Sequence, residues 1–223
     1  MSKIAISILS GGLDSCVSTA CAIRDGYKVI AIHFNYHQRT EQRELKAFND
    51  ICDFYKIQKM AIDMDFFKQI GGSSLTDISL EVPKGTLGEN GKVPNTYVPF
   101  RNGIFYSIAA AIAQRFNASA IYTGLVSEDS SNYPDTTLDF VEKTAAFIKE
   151  GSGENIKIIT PLIKLKKSEI VKLGMSLKAP LELSYSCYDS NELACGKCES
   201  CQLRLKGFSE AGFKDLIKYE NNS

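Results

Sequence analysis

Residues 3–18 read KIAISILSGGLDSCVS, and the pattern changes twice inside that stretch. An apolar run from Ile4 to Leu9 is too short for a helix and too continuous for a half-exposed strand, so it reads as a buried strand of a parallel sheet. Ser10-Gly11-Gly12 breaks it, and helical periodicity starts at Asp14. A strand that turns through glycine directly into a helix is the first half of a βαβ crossover.

Working outward, the unit repeats. Strand-like runs fall at Lys3–Leu9, Tyr27–Phe34, Lys59–Met64, Ala118–Thr123 and Ile156–Thr160. Helix-like stretches between or after them cover about Asp14–Arg24, Thr40–Tyr55, Asn102–Phe116, Leu138–Lys149 and Lys167–Leu177. The alternation predicts a doubly wound α/β fold with a mainly parallel sheet. Residues 71–100 are rich in Gly, Pro, Ser and Asn, and a loop of that length is expected to be a lid over a site. Beyond Pro180 the chain enters a cysteine cluster. The expected division is a nucleotide-binding α/β domain over 1–180 and a small metal-binding C-terminal segment over 181–223.

Composition excludes several classes. With 223 residues, 44% of them hydrophobic, the chain can bury one sizeable core. Its 26 basic and 26 acidic residues balance, which gives no bulk attraction for nucleic acid. No apolar run is long enough to span a membrane. A cytoplasmic protein is expected. Four of the seven cysteines crowd between Cys187 and Cys201, which suits a metal better than a disulfide framework.

A loop between a strand and its helix offers free N–H groups and the positive end of a helix dipole, which together suit a phosphate. Gly11 and Gly12 permit close approach, and the Ser10 and Ser15 hydroxyls add donors. The lysine of a Walker loop is missing, so the loop suits pyrophosphate as a leaving group better than a terminal phosphate to be polarised. The competing reading is a tight turn with Asp14 and Ser15 capping the helix.

Cys187, Cys195, Cys198 and Cys201 supply four thiolates within fifteen residues, enough to close a tetrahedron around Zn(II) with no position left open for water. Lys197, Arg204 and Lys206 are candidates to offset its negative charge. A redox pair, an iron–sulfur cluster or unliganded thiols are the alternatives. His33 and His37 read as structural residues, Cys16, Cys21 and Cys52 as buried helix positions, and Ile104–Ala113 as core.

The S-G-G-x-D-S stretch resembles the PP-loop signature of the ATP pyrophosphatase superfamily. With the cysteine spacing, and with FNYHQR (34–39), PNTYVPFRN (94–102), TG (123–124), YPD (133–135), TPL (160–162) and SCY (186–188), nearly the whole chain resembles the QueC family, the 7-cyano-7-deazaguanine synthases. It departs from the family pattern between 125 and 137.

The resemblance implies an adenine nucleotide alpha hydrolase-like fold. It also implies an ATP-dependent ligase that converts 7-carboxy-7-deazaguanine and ammonia to the nitrile, cleaving Mg(II)-bound ATP to AMP and pyrophosphate. The nucleotide stretch carries over to Ile8, Leu9, Ser10, Gly11, Gly12, Leu13, Asp14, Ser15, Cys16, Val17 and Ser18, and the zinc ligands to the four clustered cysteines. Catalytic roles are expected for Asp14, Ser15, Arg101 and Lys167. Arg101 and Asn102 read equally as a solvated arginine and a helix cap, and Lys167 as a surface helix start. The loop after Thr123-Gly124 is expected to line the base pocket through Glu128, Asp129 or Asp135. A homodimer is implied by the family alone. A tRNA-thiolating PP-loop enzyme, a deazaguanine ligase that stops at the amide, and a non-catalytic zinc interaction module remain alternatives.

Overall fold

The computed structural model describes residues 3–82, 93–127 and 133–220. In chain order its elements are β1 (Ile4–Ile8), α1 (Leu13–Arg24), β2 (Lys28–Asn35), α2 (Glu41–Tyr55), β3 (Gln58–Asp63), α3 (Phe67–Ile70), α4 (Arg101–Arg115), β4 (Ala120–Thr123), α5 (Leu138–Ser152), β5 (Lys157–Ile159), α6 (Lys167–Ser176) and α7 (Glu199–Ala211). The strand order is β3-β2-β1-β4-β5, and every pairing is parallel. The chain therefore winds outward from β1 through β2 to β3, then returns to lay β4 on the other flank of β1.

β1 is central because both faces of it are apolar. Ile6 pairs with Ile30 on one flank and Ile121 on the other, and all three lie in the core beneath α4 and α5, with Tyr106, Ala109 and Ile148. Ala5 and Leu9 point to the opposite face, where Cys16, Val17, Phe48, Ile170 and Phe208 from α1, α2, α6 and α7 cover them. Period-2 alternation thus feeds two cores, one per face. Each fully buried isoleucine contributes about 2 kcal/mol by leaving water.

The sequence reading and the observed elements differ by one or two residues at most ends. The four-residue α3 carries too little periodicity to be read. α7 begins at Glu199, two residues before the apolar pattern starts, because Cys198 is its N-cap.

The segment after Pro180 does not stand apart. Leu181 and Phe208 belong to the core under α1, and Tyr185 N donates to Gly11 O at 2.8 Å. Arg204, 1% exposed, ties the segment together. Its guanidinium donates to both oxygens of Asp215 at 2.7 and 3.0 Å, to Leu181 O at 3.0 Å and to Ser184 Oγ at 2.9 Å. Of the expected lid, 83–92 lies outside the described residues. The flanks are tied: Ser74 N donates to Asn95 O at 2.8 Å, and Thr96 Oγ1 meets Tyr133 OH at 2.5 Å.

Candidate active site

The carboxyl ends of β1 and β4 flank the point where the winding reverses, the place where open α/β sheets bind ligands. A cavity of about 300 Å³ opens there. Ile8, Leu9, Ser10, Gly12, Leu13, Asp14 and Ser15 form one wall of it, and Thr123 and Gly124 another.

Two glycines let the loop take this shape. Gly11 has a φ of +92°, and a Cβ there would lie 2.5 Å from Glu44 O on α2. A Cβ on Gly124 would lie 2.5 Å from Ser15 N and 2.6 Å from Asp14 C, so the loop after β4 presses directly on the first turn of α1. Gly12 is the N-cap of α1, and no side chain caps that helix. The capping reading for Asp14 and Ser15 therefore does not hold: Ser15 Oγ donates to Gly12 O at 3.0 Å and lies 3.0 Å from Ser10 Oγ. The first-turn N–H groups and two hydroxyls face the cavity together, an arrangement able to hold phosphate oxygens.

Asp14 lies beside the ammonium of Lys167, the first residue of α6, with Nζ at 3.0 and 2.9 Å from its two oxygens. Lys167 is thus turned inward, and its side chain is 13% exposed. Arg101, at the start of α4, donates from Nη1 to Tyr36 OH at 2.9 Å, with its guanidinium over the Tyr36 and Phe105 rings. Burial opposes that charge, but the Tyr36 hydroxyl and the Asp135 carboxylate hold its pKa above the ordinary value. It is not a solvated arginine. Asn102 does not cap α4, whose N-cap is Phe100; it gives its N–H to Asp135 Oδ2 at 3.0 Å and its side-chain amide to Asp135 O at 3.1 Å.

Cys16, Val17 and Ser18 are buried along α1 and do not line the cavity. Glu128 and Asp129 lie outside the described residues, and Asp135, pushed up in pKa by burial, is turned to the start of α4. His33 is buried: its ring stacks on Phe48 at 5.1 Å, its Nδ1 lies 3.2 Å from Leu9 O, its Nε2 has no hydrogen-bond partner among the described residues, and burial lowers its pKa.

The sulfurs of Cys187, Cys195, Cys198 and Cys201 all lie within 4.8 Å of one another, and all four residues are buried. A tetrahedral site with Zn–S bonds of about 2.3 Å has edges near 3.8 Å, and Cys195 Sγ and Cys201 Sγ are 4.0 Å apart. The donor set therefore fits a single metal ion. Backbone N–H groups already face the sulfurs: Cys195 N donates to Cys187 Sγ at 3.4 Å, and Cys198 N to Cys195 Sγ at 3.3 Å. Hydrogen bonds from the Cys198 and Cys201 thiols drive the Cys187 pKa down, while the bond to Cys187 pushes Cys198 up. Arg204 is committed to Asp215, and the direct donors to the sulfurs are these backbone N–H groups. Metal binding would displace the remaining thiol protons.

The family model described as queuosine biosynthesis protein QueC matches residues 4–212. The chain belongs to the QueC family. Relatives named 7-cyano-7-deazaguanine synthase include one from Aliarcobacter butzleri, 54% identical over 98% of this chain and 96% of the relative. One from Nautilia profundicola is 52% identical, over 98% and 99%, and one from Campylobacter jejuni 49% identical, over 99% and 100%. The fold is similar to that of a 4-thiouridine synthetase solved with RNA and bound ATP, with a TM-score of 0.53 and 16% identity over 94% of this chain and 50% of that one. It is also similar to a predicted tRNA methyltransferase subunit from Methanocaldococcus jannaschii, with a TM-score of 0.51 and 14% identity over 100% and 94%. At those identities the likeness carries architecture alone. The QueC assignment rests on the family match and the close relatives.

Residues without an assigned role in the sequence reading complete the QueC cavity. Tyr36, Gln38 and Thr40 reach it from the β2–α2 connection and Glu44 from α2, Tyr188 from the turn after Cys187, and Glu199 and Ser200 from the start of α7. Tyr36 and Gln38 sit inside the FNYHQR stretch and Tyr188 inside SCY. Glu44 carried no signal beyond an acid in a first helical turn, where the helix dipole favours it anyway.

Proposed function

We propose that this chain is an ATP-dependent carbon–nitrogen ligase that converts 7-carboxy-7-deazaguanine and ammonia to 7-cyano-7-deazaguanine through adenylated intermediates. The observation that carries this reading is that the Ser10–Ser15 loop and the walls from the cysteine segment meet in one cavity. A carboxylate is a poor electrophile, so one of its oxygens attacks the α-phosphorus of ATP and pyrophosphate departs. Ammonia adds to the acyl carbon, loses a proton and expels AMP, leaving the amide. The amide oxygen then attacks the α-phosphorus of a second ATP and a second pyrophosphate departs; loss of AMP with both N–H protons yields the nitrile. Excluding water protects both adenylates.

In this mechanism Ser10, Gly12, Ser15 and the loop N–H groups hold phosphate oxygens, with Ile8, Leu9 and Leu13 beside the nucleotide. Gly11, Cys16, Val17 and Ser18 keep the loop in shape from the core side. Lys167 neutralises the departing pyrophosphate, and Arg101 pairs with the substrate carboxylate. Mg(II), when bound, neutralises ATP oxygens, and Asp14 is the carboxylate that would hold it, since such ions take one or two carboxylates plus phosphates. Zn(II) is the ion for the four thiolates, in a closed structural shell. Kinship supports a cytoplasmic homodimer built from an α/β body over 1–180, with 71–100 as its cover, and a metal-bearing segment over 181–223.

The test is purified protein with Mg-ATP, ammonia and 7-carboxy-7-deazaguanine. Acid-dependent release of AMP and pyrophosphate with a nitrile product by mass is expected; untouched acid overturns the reading. Accumulated amide identifies an enzyme that stops one step earlier.

A further inference from the structure

Among the described residues, three carboxylates line the cavity: Asp14, Glu44 and Glu199. Asp14 is engaged by Lys167 through both oxygens. Glu199 stands in the first turn of α7, beside the ligand Cys198. Glu44 differs from both. Its Oε1 accepts from Thr40 Oγ1 at 2.7 Å and its Oε2 from Gln38 Nε2 at 3.0 Å, so each oxygen holds one neutral donor and retains a further lone pair.

That carboxylate is also pre-set. Gln38 is 5% exposed and Thr40 2%, and Gln38 Oε1 accepts from Tyr36 N at 2.9 Å, which fixes the amide so that its NH₂ must face Glu44. Burial raises the Glu44 pKa, with the Thr40 and Gln38 bonds working against it. Two further N–H donors from a ligand would complete its shell, as in bidentate recognition of a carboxylate. Arg101 supplies the opposite pole nearby: burial raises the pKa of the Tyr36 phenol, Arg101 works against that shift and Glu44 adds to it.

We propose that Glu44 reads the donor–donor edge of a guanine-type ring, its ring N–H and exocyclic amine, and thereby selects the base of the acid substrate. This rests on the deazaguanine-acid reading above. A carboxylate with two free acceptor positions mismatches the adenine of ATP, whose amine sits beside acceptor nitrogens. The positioning is done by Gln38 and Thr40, so selectivity is built into the β2–α2 connection and not only into the loop after β4.

Calorimetric binding of 7-deazaguanine and of its analogue lacking the exocyclic amine tests this, alongside ATP affinity and acid-dependent AMP release. Wild-type protein is expected to prefer the amine-bearing ring by about 100-fold. In Glu44→Gln the preference falls below about 5-fold, because the amide opposes one of the two N–H groups with a donor of its own. ATP affinity and the thermal midpoint stay unchanged. Thr40→Val keeps the carboxylate and removes one positioning donor, and it weakens 7-deazaguanine binding by about 5-fold. Retained preference in Glu44→Gln, a loss of ATP affinity in its place, or failure of wild-type protein to bind either ring overturns the assignment. If wild-type protein binds with the expected preference yet forms no AMP from the acid, the reaction reading fails and the Glu44 assignment stands.

Discussion

The Ser10–Ser15 loop and the cysteine turns border the same cavity, yet they rest on different foundations. The loop hangs between β1 and α1, each anchored in an apolar core, so its shape follows from burial on both faces of the sheet. The cysteine turns have a small cluster of their own in which the thiols are the principal contents, together with Ala47, Tyr185 and Ala194. A site supported by a core keeps its shape when a functional side chain is removed. A site whose core is its ligands does not, because ligand binding and local folding are one equilibrium.

The largest break in this comparison is Cys198→Ser. It should release the metal and lower the thermal midpoint by about 10 °C or more, as expected for a structural site in a chain of this size. Metal content by elemental analysis and a melting curve measure both, and an unchanged midpoint would contradict the contrast. Next is Asp14→Ala, expected to cut turnover by about a thousandfold, roughly 4 kcal/mol of transition-state stabilisation, with the melting curve unmoved. Steady-state AMP release reads the first outcome; a joint loss of stability would mean the loop is held by its functional groups after all.

Asp215→Asn sharpens the picture from the other side. It leaves the Arg204 guanidinium buried against a neutral amide, and removing one partner of a buried pair costs about 3–5 kcal/mol. Denaturant unfolding should report that loss, with metal binding weakened too if Arg204 aligns the turns. The smallest effect is expected from Gly124→Ala, where a Cβ must displace the Ser15 and Asp14 backbone. ATP binding should weaken by about tenfold, a little over 1 kcal/mol, and stability should fall by about 1–3 kcal/mol because backbone has to move; unaltered ATP affinity in a titration would show that the β4 loop does not set the Ser10–Ser15 loop.

Much of this was legible in one dimension. The five strands and their parallel pairing follow from short apolar runs alternating with helical periodicity, and Cys187 to Cys201 could be recognised as a candidate metal site because all four thiols lie within fifteen residues. Local features of this kind survive translation into three dimensions because spacing along the chain fixes spacing in space. Lys167 was harder: as a lysine at a helix start it reads as solvated, and only α6 packing beside α1 brings its ammonium to Asp14, 153 positions earlier. Arg101 lost its solvated reading for the same reason, once Tyr36 and Phe105 closed over it.

By itself the sequence determined the fold class, the glycine loop after β1 and the thiolate cluster, since each is encoded by residues that are neighbours in the chain. Only the tertiary structure decided that the C-terminal segment is a wall of the cavity. Tyr185 meets Gly11, and Tyr188 and Glu199 line the same cavity as Asp14 and Arg101, an arrangement that no local pattern describes. The same holds for Glu44: Gln38 and Thr40 of the β2–α2 connection fix its two oxygens, and side-chain hydrogen bonds of this kind leave no periodic trace in a sequence.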